Sequence, residues 1–258
     1  MVGKMASIKF ITCLIKHAKK SCLILNKGSI YLIPNFITSD NDKSYLSYEV
    51  EKIIFRINIF IVENIRSARR FIRKIDKEKN IDNILFFEYG KYSKLNFEKD
   101  ILSLILNGKS IGIISESGLP CVADPGASIV EYAHDFDIDV IPVSGPNSIV
   151  LALVSSGMNG QNFAFNGYLP INKKERKIKI IELEKKAKKE NQTQIFIETP
   201  YRNNQLFSAI LENCNLNTKL CVAMDISSKK QFIKTKSIYE WKNLNLILNK
   251  VPCVFIIQ

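Results

Sequence analysis

The stretch Ser115-Glu-Ser-Gly-Leu-Pro-Cys-Val-Ala-Asp-Pro-Gly126 sets two carboxylates, two serines and a thiol among two glycines and two prolines. Gly118, Pro120, Pro125 and Gly126 break any strand ladder and let backbone N–H groups turn toward a bound molecule. Two further segments pair a carboxylate with an arginine a few residues on: Glu63-Asn-Ile-Arg66 and Glu198-Thr-Pro-Tyr-Arg202. Such pairs can accept a proton and orient an anionic group through charge-assisted hydrogen bonds, or close on each other as salt bridges across a cleft. Ser144-Gly-Pro-Asn-Ser148 opens a helix, with Asn147 or Ser148 as its N-cap.

Other chemistries lack their residues. No Gly-x-Gly-x-x-Gly follows the first apolar run and no Gly-Lys-Ser phosphate loop occurs, so a nicotinamide, flavin or nucleoside triphosphate site has no support. His17 and His134 are the only histidines, and no Ser-His-Asp arrangement can be drawn. The six cysteines include no Cys-x-x-Cys pair and no metal site is expected. Cys253, inside Val251 to Ile257, reads as an apolar filler. Cys121, in the loop, has no histidine nearby to make it a nucleophile.

The elements that must position these loops alternate regularly. Apolar runs at Gly28–Pro34, Ile57–Val62, Ile84–Phe87, Ser110–Ser115 and Val140–Val143 read as strands. Helices are predicted over Ser47–Arg56, Arg66–Lys77, Asn96–Leu106 and Ser128–Asp135. The continuous β-branched run Ile111 to Ile114 suits a strand buried on both faces, and the alternation implies right-handed parallel βαβ units. In open α/β sheets ligands sit at the carboxyl ends of strands, where Pro34, Glu63 to Arg66, Ser115 to Asp124 and Ser144 to Ser148 would lie. After Gly157–Asn162 the texture changes. Strands are expected at Phe163–Tyr168, Thr193–Ile197, Leu220–Asp225, Phe232–Ser237 and Cys253–Ile257, and helices at Lys173–Lys189, Asn204–Asn213 and Tyr239–Leu248. The expected organisation is a basic extension at 1–26, one α/β domain at 27–160 and a second at 161–258. Loops at Glu198 to Arg202 and Asp225 to Ser228 would face the first domain across a cleft.

The net charge of +12 is uneven: residues 108–170 carry one Lys and six acids, whereas 171–258 carry 17 basic and eight acidic residues. An acidic island holding the ligand loop, flanked by basic segments, fits a polyanion gripped outside the reaction centre. The helix Lys173–Lys189, with nine basic residues, is the expected place for such contacts. Every apolar run is interrupted before it could span a membrane, and the first 26 residues lack the apolar core of a secretory signal, so a cytoplasmic protein is expected.

In order along the chain, these motifs resemble those of the small-subunit ribosomal RNA ribose 2′-O-methyltransferase I family, within the tetrapyrrole methylase superfamily. Ser115–Gly126 resembles its Ser-Asp-Ala-Gly-Thr-Pro-x-Ile-Ser-Asp-Pro-Gly loop, and Pro142-Val-Ser-Gly-Pro146 its Pro-Leu-Pro-Gly-Pro. Gly167-Tyr-Leu-Pro170 is similar to Gly-Phe-Leu-Pro, Glu63 to Arg66 to Glu-Asp-Thr-Arg, and Glu198 to Arg202 to Glu-Ser-x-His-Arg. The resemblance covers about Gly28 to Ile257. It implies two α/β domains, the first sheet mainly parallel and the second mixed, a homodimer, and S-adenosyl-L-methionine in the inter-domain cleft. By position, the cofactor contacts would be Pro34, Glu116, Ser117, Gly118, Val122, Asn147, Ser148, Glu198 and Ile226. Methyl transfer to a ribose hydroxyl needs a proton acceptor, for which Glu63, Glu116 and Glu198 are available, and Arg66 and Arg202 would orient phosphate. Glu63, Arg66 and Arg202 are therefore the candidate catalytic residues. Departures fall on the acceptor side: Asn35 to Asp40 lacks the family's glycine, Asn64 replaces an Asp and Tyr201 a His. The expected function is methylation of ribosomal RNA. The alternatives are a small-molecule methylase of tetrapyrrole type or a cofactor-binding ribosome-associated protein without activity.

Overall fold

A computed structural model describes residues 27–90, 95–248 and 250–258, so the expected extension at 1–26 lies outside the described residues. Five strands, β1 (Ile30–Ile33), β2 (Ile59–Val62), β3 (Leu85–Glu88), β4 (Ile111–Ile114) and β5 (Val140–Pro142), form one sheet in the order β3-β2-β4-β1-β5. All its pairings are parallel. The helices between them cover both faces. Helices α1 (Tyr48–Arg56) and α2 (Ile65–Ile75) bury Val50, Ile53, Ile54, Phe71 and Ile72 against Ile33, Phe60 and Ile114. On the other face, Phe97, Ile101 and Ile105, with Ile129 and Ala133 of α4 (Ala127–Asp135), pack on Ile30, Ile61, Ile111 and Ile113.

Strand β4 is the centre of this sheet and is buried at all four positions, as its unbroken apolar run requires. Gly112 faces the α1–α2 layer, where a Cβ would come within 2.6 Å of Ile33 Cδ1 and 2.8 Å of Phe60 Cδ1. The helix expected at Asn96–Leu106 forms differently, as a π-helical run Phe97–Leu102 continuing into the short α3 (Ser103–Leu106). The Asn96 side chain accepts from Lys99 N at its start. The wider winding keeps Phe97 and Ile101 in the core, with Phe97 stacked on Tyr132 at 5.5 Å.

The second sheet contains β6 (Phe163–Tyr168), β7 (Thr193–Glu198), β8 (Lys219–Met224), β9 (Phe232–Ser237) and β10 (Cys253–Ile257), in the order β6-β7-β10-β8-β9. Strand β6 runs parallel to β7, and the other neighbours are antiparallel, giving the mixed sheet that was expected. One face carries α6 (Lys173–Glu190), α7 (Asn203–Asn213) and α8 (Ile238–Lys242) over Phe196, Leu220, Val222 and Phe255. The other face receives α5 (Ser148–Ser156), whose Ile149, Ala152 and Leu153 pack on Ile195, Cys221, Ala223 and Val254. By these contacts α5 belongs to the second sheet, although it precedes the polar stretch 157–162.

Helix α8 is shorter than the expected Tyr239–Leu248. A capping box of Ser237 and Glu240 starts it, and it stops at Lys242 because Leu248 is drawn into the core, its N–H donating to Asn204 Oδ1 at 2.7 Å. Burial pushes the thiols of Cys214 and Cys253 up to about 12, the state of inert fillers. Among the described residues no helix is long and apolar enough to cross a membrane, and no group of three or more metal-ligating side chains converges.

Candidate functional site

The carboxyl ends of β1, β4 and β5 meet the second sheet across a cavity of about 360 Å³. From the first domain come Ile37, Ser117 to Leu119, Val122 to Asp124 and Asn147; from the second come Ile149, Tyr168, Ile197, Glu198, Ala223, Ile226 and Val254. Of the residues carried over by position, Ser117, Gly118, Val122, Asn147, Ser148, Glu198 and Ile226 line this cavity. Two do not. Pro34 is packed under Gly145, where an added Cβ would stand 2.3 Å from the proline ring. Glu116 turns to the first-domain rim and accepts from Ser67 Oγ at 2.5 Å.

The loop after β4 is held from beneath. Asn35, buried at the end of β1, donates through Nδ2 to Ser115 O at 2.8 Å, while its own N–H donates to Gly118 O at 2.8 Å. Ser115 Oγ adds a bond to Gly118 O at 2.9 Å. Gly118 adopts φ +66°, and a Cβ there would lie 3.1 Å from Pro146 O. Cys121 and Ala123 also hold positive φ, at 67° and 62°. Left-handed residues without glycine concentrate where surrounding structure enforces them, commonly at binding loops. Across the cavity Asp225 and Ser227 do the same, at 50° and 69°, and Ser227 O accepts from Asn41 Nδ2 at 2.8 Å, tying the two domains.

Three carboxylates converge at the first-domain rim. Glu63 Oε1 accepts from Glu116 N at 3.4 Å. Burial raises the Glu63 pKa, an effect that the Glu116 N–H opposes and the Glu116 charge reinforces. Asp124 is pushed up to about 7, first by burial and then by the charges of Glu63 and Glu116. Sequence reasoning missed Asp124, although a second carboxylate in a twelve-residue loop was a signal for it. The same environment raises the Cys121 thiol, by burial and by Asp124, and leaves it protonated and a poor nucleophile.

The second-domain carboxylate is different. Glu198 is buried, its Oε1 accepting from Arg202 Nη2 at 2.6 Å and from Thr199 N at 2.6 Å. Arg202 is thus committed to Glu198, and the expected pair closes as a salt bridge within one strand end. Glu63, Arg66 and Arg202 are not brought together as one cluster. Glu63 joins Glu116 and Asp124, whereas Arg66 stands exposed on α2. Asn64, in place of an acid, caps α2 by accepting from Ser67 N at 3.1 Å, a role that Asn and Asp fill equally well. Tyr201 is 80% exposed, beside the cavity residue Pro200.

A ribosomal RNA small subunit methyltransferase I from Buchnera aphidicola subsp. Acyrthosiphon pisum is 30% identical over 234 residues, which is 90% of this chain and 79% of that protein. The chain belongs to the ribosomal RNA small subunit methyltransferase I family. The Bacillus subtilis member is 28% identical over 219 residues, covering 84% of this chain and 70% of its own. No protein-family model matches the chain. Among solved structures, the methyltransferase CobJ superposes with a TM-score of 0.59 at 14% identity, over 89% of this chain and 93% of its own. Uroporphyrin-III-C-methyltransferase from Thermus thermophilus gives a TM-score of 0.50, also at 14% identity, over 89% of this chain and 91% of its own. These likenesses show that the chain shares the fold of those two enzymes, and the protein is a methyltransferase by family.

Proposed function

We propose that the protein transfers the methyl group of S-adenosyl-L-methionine to a ribose 2′-hydroxyl of ribosomal RNA. The observation that carries this reading is the similarity to ribosomal RNA small subunit methyltransferase I across 90% of the chain, on a cavity lined by seven of the nine residues that the resemblance implies for the cofactor.

The cavity's residues fit that cofactor. Ile149, Ile197, Ala223, Ile226 and Val254 make one side apolar, suited to a purine, while Ser117, Asn147, Ser148 and Glu198 supply polar groups for a ribose and an amino acid. Gly118 brings its backbone close to the Pro146 carbonyl in the left-handed region, where a side chain would be strained and would crowd that carbonyl. When bound, S-adenosylmethionine supplies an electrophilic methyl on a cationic sulfonium. The chain's own work is to hold both reactants in line, exclude water and manage one proton. The negative rim of Glu63, Glu116 and Asp124 favours a cation. Within it, the Asp124 carboxylate oxygens are matched to neutral pH for accepting a hydroxyl proton.

We also propose a homodimer. Strands β5 and β6 are the sheet edges that α5 connects, and this segment exposes Ile141, Val150, Val154, Phe163 and Tyr168. Exposed apolar side chains beside two edges that pair with no further strand among the described residues suit a second copy of the chain. Val154→Asp should give monomers by light scattering, and an unchanged dimer would remove this face from the interface.

The decisive experiment is mass spectrometry of ribosomal RNA from cells with and without the protein, with a thermal shift by S-adenosylmethionine. Loss of one ribose methyl together with cofactor stabilisation is expected. Stabilisation with unaltered RNA would point instead to a small-molecule acceptor, and no stabilisation to a protein without activity.

A further inference from the structure

Helix α2 reads Ile65-Arg-Ser-Ala-Arg-Arg-Phe-Ile-Arg-Lys-Ile75 and contains no acidic residue. Its apolar positions Ala68, Phe71, Ile72 and Ile75 are buried in the first core. Arg66, Arg69, Arg70 and Arg73 recur at three- and four-residue spacing, which places them within an arc of about 100° on the opposite side. All four are exposed. None forms an ion pair among the described residues, and together with Asn64, Ile65 and Glu88 they line a shallow hollow of about 560 Å³. Glu88, the acid of that hollow, accepts from the Ile65 N–H at 3.3 Å. Arg69 lies over the Phe86 ring at 5.7 Å, which orients its guanidinium without neutralising it.

Four unpaired guanidinium groups along roughly 10 Å of helix repel one another unless an anion with several charges lies across them. Arginine is also the side chain whose planar fork matches phosphate. The helix is anchored to the cleft at its first turn. Its cap, Asn64, directly follows Glu63, and Ser67 Oγ donates to Glu116 in the loop that forms the cavity wall.

We infer that the arginine face of α2 binds the phosphate backbone of the substrate RNA and leads the strand to the Glu63–Glu116–Asp124 rim. This rests on the proposed RNA acceptor and gives it a docking surface. The basic helix α6 is the competing surface, but it is interleaved with acids, and Lys179 and Lys188 pair with Glu182 and Glu184. It also lies on the outer face of the second sheet, packed beside α7.

The test is the salt dependence of binding to a fluorescently labelled oligoribonucleotide, measured by anisotropy on the full chain. The triple substitution Arg69→Gln, Arg70→Gln, Arg73→Gln should flatten the slope of log K against log salt by about 2, since each single-strand phosphate contact contributes about 0.7. Replacing the same residues with Lys should retain the slope, and S-adenosylmethionine affinity should be unchanged in both variants. A glutamine variant that keeps the parental slope overturns the inference, and so does a lysine variant that loses it. So does loss of slope from Lys173→Gln, Lys174→Gln, Lys177→Gln on α6 while α2 is without effect. Failure of the parent protein to bind RNA, with S-adenosylmethionine still bound, would instead overturn the proposed RNA acceptor itself.

Discussion

Replacing Asp124 with Asn should stabilise the protein in alkaline solution and leave it unchanged in acid. In the fold the Asp124 carboxyl titrates at about 7, against 3.8 in an unperturbed chain, because burial and the neighbouring charges of Glu63 and Glu116 disfavour its ionised form. Below the lower value both the folded and the unfolded chain hold the proton, and the group contributes nothing to stability. As the pH rises through the window, the unfolded chain releases the proton while the folded one keeps it. The native state then binds more protons, so stability falls with pH until the folded group also ionises. The shift spans about three pH units, and at 1.36 kcal/mol per unit the ceiling is about 4 kcal/mol. Asp124 is only partly buried, and solvent screening reduces this to about 1–2 kcal/mol. For a chain of this size the corresponding change is about 2–8 °C in Tm. Thermal unfolding of parent and Asp124→Asn should therefore coincide near pH 4 and diverge up to about pH 8, with the variant higher. Glu63→Gln should recover part of the same gain by removing one of the repelling charges. An Asp124→Asn variant that is less stable than the parent at high pH, or equally shifted at both ends, would refute the reasoning.

Three further outcomes test the architecture of the cleft. Gly118→Val forces a branched side chain into the left-handed region beside Pro146 O, at a backbone cost of about 1–2 kcal/mol; calorimetry should show at least a tenfold loss of S-adenosylmethionine affinity, and unchanged affinity would take this loop out of the site. Arg202→Met leaves the buried Glu198 carboxylate without its cation and should lower stability by about 3 kcal/mol, read by urea unfolding, with the additional change Glu198→Gln restoring most of it. Asn64→Ala should cost about 1 kcal/mol through loss of the α2 cap, while Asn64→Asp should be close to neutral; a destabilising Asp would mean that Asn64 does more than cap.

Much of the fold is legible in the order of the residues. Strand β4 stands out because burial on both faces demands an unbroken apolar run, and α2 because Ala68, Phe71, Ile72 and Ile75 repeat at the period of one buried stripe. The cavity wall from Ser117 to Val122 is legible because glycine and proline mark where a strand must end. Helix α8 is overextended by the same reasoning, since Leu246 and Leu248 continue its apolar pattern, yet they are held by Asn204 and the second core rather than by the helix.

The linear sequence by itself determined the alternation of strand and helix and the loops at the strand ends, because periodicity and chain-breaking residues act locally, while the family was legible only through the resemblance of its ordered motifs. Only the tertiary structure decided the partners of each charge. Glu198 and Arg202 are four residues apart and close on each other. Glu63, Glu116 and Asp124 come from two strand ends and meet at one rim, where burial, and then the charges of Glu63 and Glu116, hold the Asp124 proton to about 7. Electrostatic energy depends on distance through space and on exclusion of water, and folding sets both.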